Sequence, residues 1–278
     1  MSNQIQENFF AVGYSIAKQI VSEKKIDSIL ETIFKIFCKY NPSTKLLKLQ
    51  KPWLTNLFHE EMIKFRQRDP EKFSLLYVSA QTSVSVNELV SDEIIGEYSA
   101  NLLGSKNTEM SITEGMIRMD TPDDKRNFTG WHQEISYLRN NGLVLWVPLS
   151  DITPDLGPLQ ICPKSHHEGE LKVVKEHNIP SNVSTVAVDE IKPEFIAKYS
   201  VKNVEIKKGD VLFFDTRLFH RSSKNTTNRI RFSCQTRHSI ITGKDFVPFR
   251  ETKTYNKSII EEVSSEHPSF SNNILATY

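Results

Sequence analysis

The chain has 278 residues, enough for one large domain with a sizeable core, and 38 % of them are hydrophobic, which is typical of a folded globular protein. The formal net charge of +1 leaves no basic excess that would attract nucleic acid or an anionic membrane surface, so neither is expected as a partner. Three scattered cysteines, an N-terminus without the pattern of a signal peptide, and the lack of a long apolar run together predict a cytoplasmic protein.

The first hundred residues have the apolar periodicity of amphipathic helices. The three- and four-residue spacing is clearest over residues 26–37, and Asn41-Pro42 ends that helix because the residue before a proline is driven out of the helical conformation. Three further helices are predicted in chain order: one over residues 53–65, one that begins at Pro70, and one that Asn87 caps and Gly104 ends.

From about residue 110 the chain changes to short runs rich in Val, Ile, Phe and Trp with turn residues between them, which is typical of β-strands. Strands are predicted near residues 112–119, 131–137, 142–149, 158–163, 203–207, 211–216 and 228–239. The polar stretch 165–200 is predicted to be a long insertion or lid.

Helices first and strands after predict an α+β fold in which helices pack on one face of a β core. No flexible linker separates the two halves, so we expect a single domain over residues 1–278. Within it, the helical part covers about 1–108, the β core about 109–240, and a C-terminal extension 241–278.

The triplet His132-Gln133-Glu134 places two metal-ligand side chains two positions apart, and His220 lies far downstream in an apolar, strand-like run. On a strand, side chains two apart point to the same side, so His132 and Glu134 can hold one ion while a distant histidine supplies the third ligand. Two histidines and one carboxylate on one face of a metal, with open positions opposite, are the pattern of non-haem iron(II) oxygenases.

The surrounding segments, in their order and spacing, resemble the phytanoyl-CoA dioxygenase-like family of Fe(II)- and 2-oxoglutarate-dependent oxygenases. The resemblance covers roughly residues 110–240 and rests on segments 130–137, 142–151, 157–166, 208–215, 220–225 and 228–231. It implies a double-stranded β-helix (jelly-roll, cupin-like) core that holds the iron at one end. It also implies Fe(II) as cofactor, 2-oxoglutarate as co-substrate, and O₂ as oxidant.

By this resemblance, His132, Glu134 and His220 match the iron ligands and are the predicted catalytic centre. Most of the family has aspartate where this chain has Glu134. Glutamate is one methylene longer but still supplies an oxygen ligand, so the metal prediction is kept. A carboxylate at this position also argues against a halogenase, which needs that place for halide.

The resemblance also implies a binding site for 2-oxoglutarate. Arg231, eleven residues after His220, matches the arginine that holds the distal carboxylate, and arginine suits this task because its planar fork binds a carboxylate at two points and stays charged. Arg229 is the alternative. Ser222 fits a hydroxyl that contacts the same carboxylate, and Trp146 matches a tryptophan that lines the co-substrate pocket, although it is also explained as a core residue.

Tyr137, Gln235 and Arg237 are the candidates for the substrate pocket. Residues 231, 233, 235 and 237 share one strand face by alternation, so Gln235 and Arg237 are expected to point toward the iron, where Arg237 would bind an anionic group. Together with the polar stretch 165–200, this favours a small polar substrate such as a sugar, an anionic metabolite or a biosynthetic intermediate.

Three functions compete at this point. The first is an oxygenase that hydroxylates a C–H bond while 2-oxoglutarate is decarboxylated to succinate and CO₂. The second is a cupin-like metal-dependent isomerase or hydrolase that uses zinc or manganese and has no need of Arg231. The third is a non-catalytic barrel that binds a ligand, and the presence of all three ligand types makes it the least favoured.

Overall fold

Residues 3–103 of the computed structural model form six α-helices and one short strand. The structure describes residues 3–122, 129–138, 140–171, 190–244 and 246–247, with the side chains of all of these except 3, 4, 114, 115 and 137. In chain order the elements are α1 (Asn3–Val12), β1 (Tyr14–Ala17), α2 (Glu23–Tyr40), α3 (Asn56–Arg68), α4 (Pro70–Gln81), α5 (Val84–Val90) and α6 (Glu93–Leu103).

The helix predictions hold except at the second and the last. In the second, Trp53 lies in a separate 3₁₀ helix (Pro52–Leu54), and α3 begins only at Asn56. The predicted helix from Asn87 to Gly104 is two helices, because the side chains of Ser83 and Asp92 each accept a backbone N–H and start α5 and α6 separately. Gly104 ends α6 as predicted, in the left-handed conformation at φ 70°. Asn87 therefore lies inside α5 and is not a cap.

The remaining described elements are mainly strands. In chain order they are β2 (Met110–Asp120), α7 (Ile135–Leu138), β3 (Gly142–Pro148), β4 (Leu159–Ile161), α8 (Pro193–Ile196), β5 (Lys202–Val204), β6 (Val211–Asp215), β7 (His220–Ser222) and β8 (Arg231–Ile240). They form a five-stranded sheet in the order β1-β6-β3-β8-β2 and a three-stranded sheet in the order β5-β4-β7. All the strand pairs described are antiparallel.

The five-stranded sheet separates two apolar layers. Along β3, Leu143, Leu145 and Val147 pack in one cluster with the N-terminal helices, whereas Val144 and Trp146 pack in a second cluster with residues of β4 and β5 from the small sheet. Both faces of β3 are therefore buried, which explains why its sequence is a continuous apolar run.

The resulting architecture is the predicted one: a double-stranded β-helix core with the N-terminal helices packed on one face. The stretch Met1–Phe246 forms one compact unit. The expectation of a single domain over the whole chain stays a prediction. No helix among the described residues is long and apolar enough to cross a membrane.

The segment 131–137 departs from its strand prediction. Only His132 makes a strand-like pair there, and the backbone N–H of Leu138 donates to the carbonyl of Glu134 (3.0 Å), so the chain turns into α7 immediately after the triplet. The hydroxyl of Ser136 donates to the carbonyl of Gln133 (2.8 Å) and supports this turn. In the predicted insertion 165–200, residues 172–189 lie outside the described part of the chain.

Candidate metal centre

Three side chains that can ligate a metal meet at one point between the sheets. One ligand atom each from His132, Glu134 and His220 lies within 4.8 Å of the other two, and all three residues are buried. Oε1 of Glu134 is 3.7 Å from Nε2 of His132 and 3.4 Å from Nε2 of His220. No other group of this kind occurs among the residues that the structure describes.

Backbone pairing brings the two histidines together across 88 positions of sequence (220 − 132). The N–H of His132 donates to the carbonyl of His220 (3.0 Å), and the N–H of His220 donates back to the carbonyl of His132 (3.2 Å). This exchange is that of an antiparallel pair, in which side chains lie side by side on one face. The turn into α7 then carries Glu134 toward the two rings.

Each histidine is oriented by a backbone carbonyl. Nδ1 of His132 lies 2.8 Å from the carbonyl of Gly130, and Nδ1 of His220 lies 3.0 Å from the carbonyl of Leu218. A carbonyl only accepts hydrogen bonds, so each Nδ1 carries a proton and Nε2 of each ring faces the carboxylate of Glu134. Burial and the nearby His132 lower the pKa of His220 to about 4, which keeps that ring neutral at pH 7.

Glu134 is a buried carboxylate held in its charged form. Burial by itself raises the pKa of Glu134, but the charge of Arg237 outweighs it and holds that pKa well below its ordinary value. Arg237 lies on β8 and reaches Oε2 of Glu134 with Nε and Nη2, each at 2.8 Å. The centre therefore offers two imidazole nitrogens and one charged oxygen, a donor set that suits Fe(II).

Arg231, the predicted 2-oxoglutarate arginine, is buried at the start of β8. Its Nε and Nη2 donate to Oδ2 of Asp120 at 3.1 and 2.6 Å, and its Nη1 donates to the carbonyl of Gly157. A guanidinium has five N–H donors, so two of them have no assigned partner among the described residues. Arg231 therefore has capacity for a further carboxylate.

The alternative arginine has different surroundings. Arg229 precedes β8 and is only partly buried; its Nε has no hydrogen-bond partner among the described residues. Its charge acts on His59 of α3, whose pKa burial and Arg229 together lower to about 4. His59 in turn accepts the backbone N–H of Ile230 at 3.1 Å. Arg231 and Arg229 therefore do not share one environment, despite their spacing.

Two other predicted residues of the co-substrate site line the space between the sheets. Trp146 is buried in the cluster that joins the two sheets and stands opposite Gln235 in the strand register. Ser222 shares one strand face with His220, and its Oγ accepts from the hydroxyl of Thr129 at 3.4 Å.

Two of the predicted substrate residues, Arg237 and Gln235, have different surroundings in the structure. Arg237 contacts Glu134 as described, so the structure brings it to the metal centre. The Nε2 of Gln235, a partly buried residue, lies 3.6 Å from the sulfur of Met116 on the neighbouring strand β2. The side chain of Tyr137 lies outside the described residues.

Asp120, Arg118 and Ser233 belong to this region and were not among the predicted site residues. Asp120 lies between two arginines, since its Oδ1 accepts from Arg118 at 3.1 Å and its Oδ2 from Arg231. Burial raises the pKa of Asp120, but the charges of the two arginines outweigh it, so the net pKa is lowered. Ser233 is fully buried, and its Oγ has no hydrogen-bond partner among the described residues.

A sequence signal for Ser233 existed, because alternation along β8 puts residues 231 and 233 on one face. Phe232 and Cys234 pack in the cluster with the helices, which leaves Ser233 on the side of the metal centre. Asp120 had no comparable signal. Its place opposite Arg231 depends on the register between β2 and β8, which contains an irregularity between Thr113 and Met116.

Gln133, between the two ligands, has a structural role. Its Nε2 donates to the carbonyls of Gly169 (2.7 Å) and Arg217 (2.6 Å), and its Oε1 accepts the N–H of Leu171 (2.9 Å). Because Gln133 is buried and makes three such bonds, it joins the segment that carries His132 and Glu134 to the backbone at residues 169–171 and at Arg217.

Comparisons with known proteins agree with this fold. An L-proline trans-4-hydroxylase from Streptomyces griseoviridis is 23 % identical over 135 residues, which are 45 % of this chain and 50 % of that protein, so the match spans half of this curated relative. The structure of the epimerase SnoN in complex with Fe3+, alpha ketoglutarate and nogalamycin RO has a TM-score of 0.55, at 14 % identity over 85 % of this chain and 82 % of that chain. The carbocyclase SnoK has a TM-score of 0.54, at 14 % identity over 86 % and 83 %.

The family model described as phytanoyl-CoA dioxygenase (PhyH) matches residues 10–233. The match begins far upstream of residue 110, so the helical part belongs to the family pattern as well as the β core. The expected enzyme class and its cofactors, Fe(II), 2-oxoglutarate and O₂, are confirmed at the level of the family. The chain belongs to the phytanoyl-CoA dioxygenase family of Fe(II)- and 2-oxoglutarate-dependent oxygenases.

Proposed function

We propose that this protein is an oxygenase that binds Fe(II) through His132, Glu134 and His220 and hydroxylates a C–H bond of a small molecule. The observation that carries the proposal is the donor set itself: two Nε2 atoms whose rings are fixed by carbonyls, and one charged carboxylate oxygen, all buried within 4.8 Å of one another. Such a set on one side of a metal leaves positions open for other ligands.

The region around Arg231 fits the second carboxylate of 2-oxoglutarate. Two N–H groups of Arg231 and the hydroxyl of Ser233 have no assigned partners among the described residues, although both side chains are buried. Buried polar groups of this kind are normally hydrogen-bonded, so an anionic ligand would complete them. Ser222 is proposed to assist and Trp146 to line the pocket.

Fe(II) held by these residues would supply the activation of O₂, one atom of which goes into succinate as 2-oxoglutarate loses CO₂ while the other goes to the substrate. The protein's own residues have simpler tasks. Glu134 and the two histidines hold the metal, Arg231 orients the co-substrate by its distal carboxylate, and the apolar cluster around Trp146 excludes water from the space between the sheets.

Hydroxylation is preferred to other 2-oxoglutarate-dependent oxidations because the curated relative is named as a hydroxylase. The substrate is proposed to be a small polar molecule such as a biosynthetic intermediate, a sugar or an anionic metabolite, with Tyr137, Gln235 and Arg237 as candidate contacts. We also propose a cytoplasmic location, because Cys38, Cys162 and Cys234 are all free thiols.

The proposal is tested by adding Fe(II) and 2-oxoglutarate to the metal-free protein under anaerobic conditions. A visible metal-to-ligand absorption band is expected, and admission of O₂ should release succinate and CO₂ in equal amounts. A protein that binds zinc or manganese but gives neither band nor succinate would instead be a metal-dependent isomerase or hydrolase. Once a substrate is known, ¹⁸O₂ distinguishes hydroxylation, which puts labelled oxygen in the product, from epimerisation or ring closure, which does not.

A further inference from the structure

Arg237 directs both of its contacts with Glu134 at a single oxygen. Nε and Nη2 of Arg237 each lie 2.8 Å from Oε2, whereas Oε1 faces Nε2 of His132 and of His220. The two oxygens of one carboxylate thus have separate surroundings. We propose that Arg237 is a positioning residue that restricts Glu134 to one oxygen as a metal ligand, an inference that rests on the proposed metal site.

The restriction matters because it determines how many coordination positions of the metal stay open. A six-coordinate metal with three protein ligand atoms has three positions left, enough for the two oxygens of 2-oxoglutarate near the metal and for O₂. A second oxygen from Glu134 would occupy one of these positions. By holding Oε2 in a buried ion pair, Arg237 keeps that position open.

Glutamate needs such support more than aspartate does. Its side chain has one more rotatable bond, so its carboxylate has more orientations to lose when it binds a metal. Arg237 is well placed to remove this freedom, because it lies inside β8 and pairs with Thr113 of β2 on one side and Val144 of β3 on the other. Its backbone is therefore fixed by two neighbouring strands, and its side chain is buried.

The direct test is Co(II) binding, because Co(II) is a spectroscopically visible substitute for Fe(II). Arg237→Gln is expected to weaken Co(II) binding by about 10- to 100-fold, the range found when a partner that orients a metal ligand is removed. It is also expected to change the visible spectrum of the bound Co(II), which reports how many atoms coordinate the metal. Thermal unfolding of each metal-free variant shows whether the fold is intact.

Arg237→Lys separates orientation from charge and also serves if Arg237→Gln does not fold. Lysine keeps the positive charge but replaces the two converging donors by one flexible ammonium group. Weakened Co(II) binding and an altered spectrum are expected here too. If Arg237→Lys restores the wild-type affinity and spectrum, the role is charge compensation alone and the inference is overturned.

Arg217→Gln is the matched control. Arg217 holds Asp215 by Nε (2.8 Å) and Nη2 (2.6 Å), but Asp215 is not a proposed ligand, so Co(II) binding should stay within about twofold of the wild type. If the wild type itself binds neither Fe(II) nor Co(II), the proposed metal site fails, and the inference with it. If the wild type binds Co(II) and Arg237→Gln binds it equally well with the same spectrum, only the role of Arg237 is refuted.

A double-mutant cycle adds a second criterion. Glu134→Asp withdraws the carboxylate by one methylene, so it can no longer span the histidines and Arg237 in the same way. In that background, Arg237→Gln should change Co(II) affinity by less than about threefold, because both substitutions act on one contact. If Arg237→Gln changes the Co(II) affinity equally in the wild type and in the Glu134→Asp background, Arg237 does not act through this carboxylate.

Discussion

At the scale of single residues, the two histidine ligands are the simplest to test. His132→Ala or His220→Ala should prevent stoichiometric Fe(II) binding and stop 2-oxoglutarate turnover, because each removes one of only three protein ligand atoms. The loss should exceed the roughly 100-fold that follows removal of a ligand's hydrogen-bond partner. Metal content of the purified protein and succinate release are the measurements.

An exposed histidine provides the control for these variants. His167 lies outside the metal centre, and His167→Ala should bind iron like the wild type. Normal iron content and turnover in either ligand variant would show that the metal is held elsewhere.

The choice between the two arginines is also a question about single residues. Arg231→Ala should weaken 2-oxoglutarate binding by about 2–5 kcal/mol, or roughly 30- to several-thousand-fold, because a desolvated carboxylate would lose its charged partner. Arg231→Lys should recover little, since lysine lacks the fork. The apparent affinity for 2-oxoglutarate, at fixed iron, is the quantity to measure.

Arg229→Ala serves as the comparison, because Arg229 lies outside β8 near His59 and should matter much less. A large loss in Arg229→Ala with little change in Arg231→Ala would reverse the assignment. No change in either variant would contradict 2-oxoglutarate binding in this region.

At the scale of elements, the pairing of β2 with β8 places Asp120 between Arg118 and Arg231. Asp120→Asn should lower the free energy of unfolding by about 3–5 kcal/mol, because the buried Arg231 and the partly buried Arg118 lose a shared counter-charge. A 2-oxoglutarate carboxylate can supply part of the missing charge. The metal-bound variant should therefore gain more thermal stability from 2-oxoglutarate than the wild type does.

Chemical denaturation and thermal melts with and without 2-oxoglutarate test this expectation. Glu61→Gln is the control, since it breaks only the surface ion pair with Lys64 and should change stability by less than about 1 kcal/mol. An Asp120→Asn protein as stable as the wild type would contradict the role assigned to this carboxylate.

The strands and helices also show how much of the fold can be predicted from the sequence. Strands such as β3 and β6 are buried on both faces, and their continuous apolar runs identify them directly. The segment after His132 forms a helical turn where the sequence predicts a strand, because a period of two cannot be distinguished from a helical turn over so few residues. β1 is only four residues long and owes its existence to pairing with β6, which no local pattern encodes.

For the site, chemistry was easier to predict than geometry. His132, Glu134 and His220 were identified as a set by residue type and family resemblance, and the structure brings them together. The contact between Arg237 and Glu134 was not foreseen, because it depends on where α7 begins. Arg237 was expected near the iron, but its interpretation as a substrate contact stays a prediction.

At the scale of the whole molecule, buried neutral histidines predict a dependence of stability on pH. Burial lowers the pKa of His238 to about 4, and burial with the charge of Arg229 does the same for His59. In the unfolded chain both titrate near 6.5. Between about pH 6.5 and 4 the unfolded state therefore binds protons that the folded state does not, so stability falls as the pH falls.

Each of these histidines should lower the free energy of unfolding by about 1.4 kcal/mol for every unit by which the pH falls within that window. Denaturant unfolding of the metal-free protein between pH 4 and 7 measures the slope, and His238→Asn should reduce it by about one histidine's share. An unchanged slope in this variant would mean that His238 is not held neutral in the folded protein. Its Nδ1 contact with Ser99 (2.9 Å) is one that asparagine can partly replace.

The alternation along β8 has a consequence for how this family can diversify. One face of the strand carries Arg231, Ser233 and Arg237, and the other carries Phe232 and Cys234 in the helical core. Inserting or deleting one residue between Arg231 and Arg237 would exchange these faces for part of the strand. Such a change would place guanidinium groups among the helices and apolar groups at the metal. Natural variation in chain length should therefore be excluded from β8, and new substrate preferences should arise in the connecting segments instead.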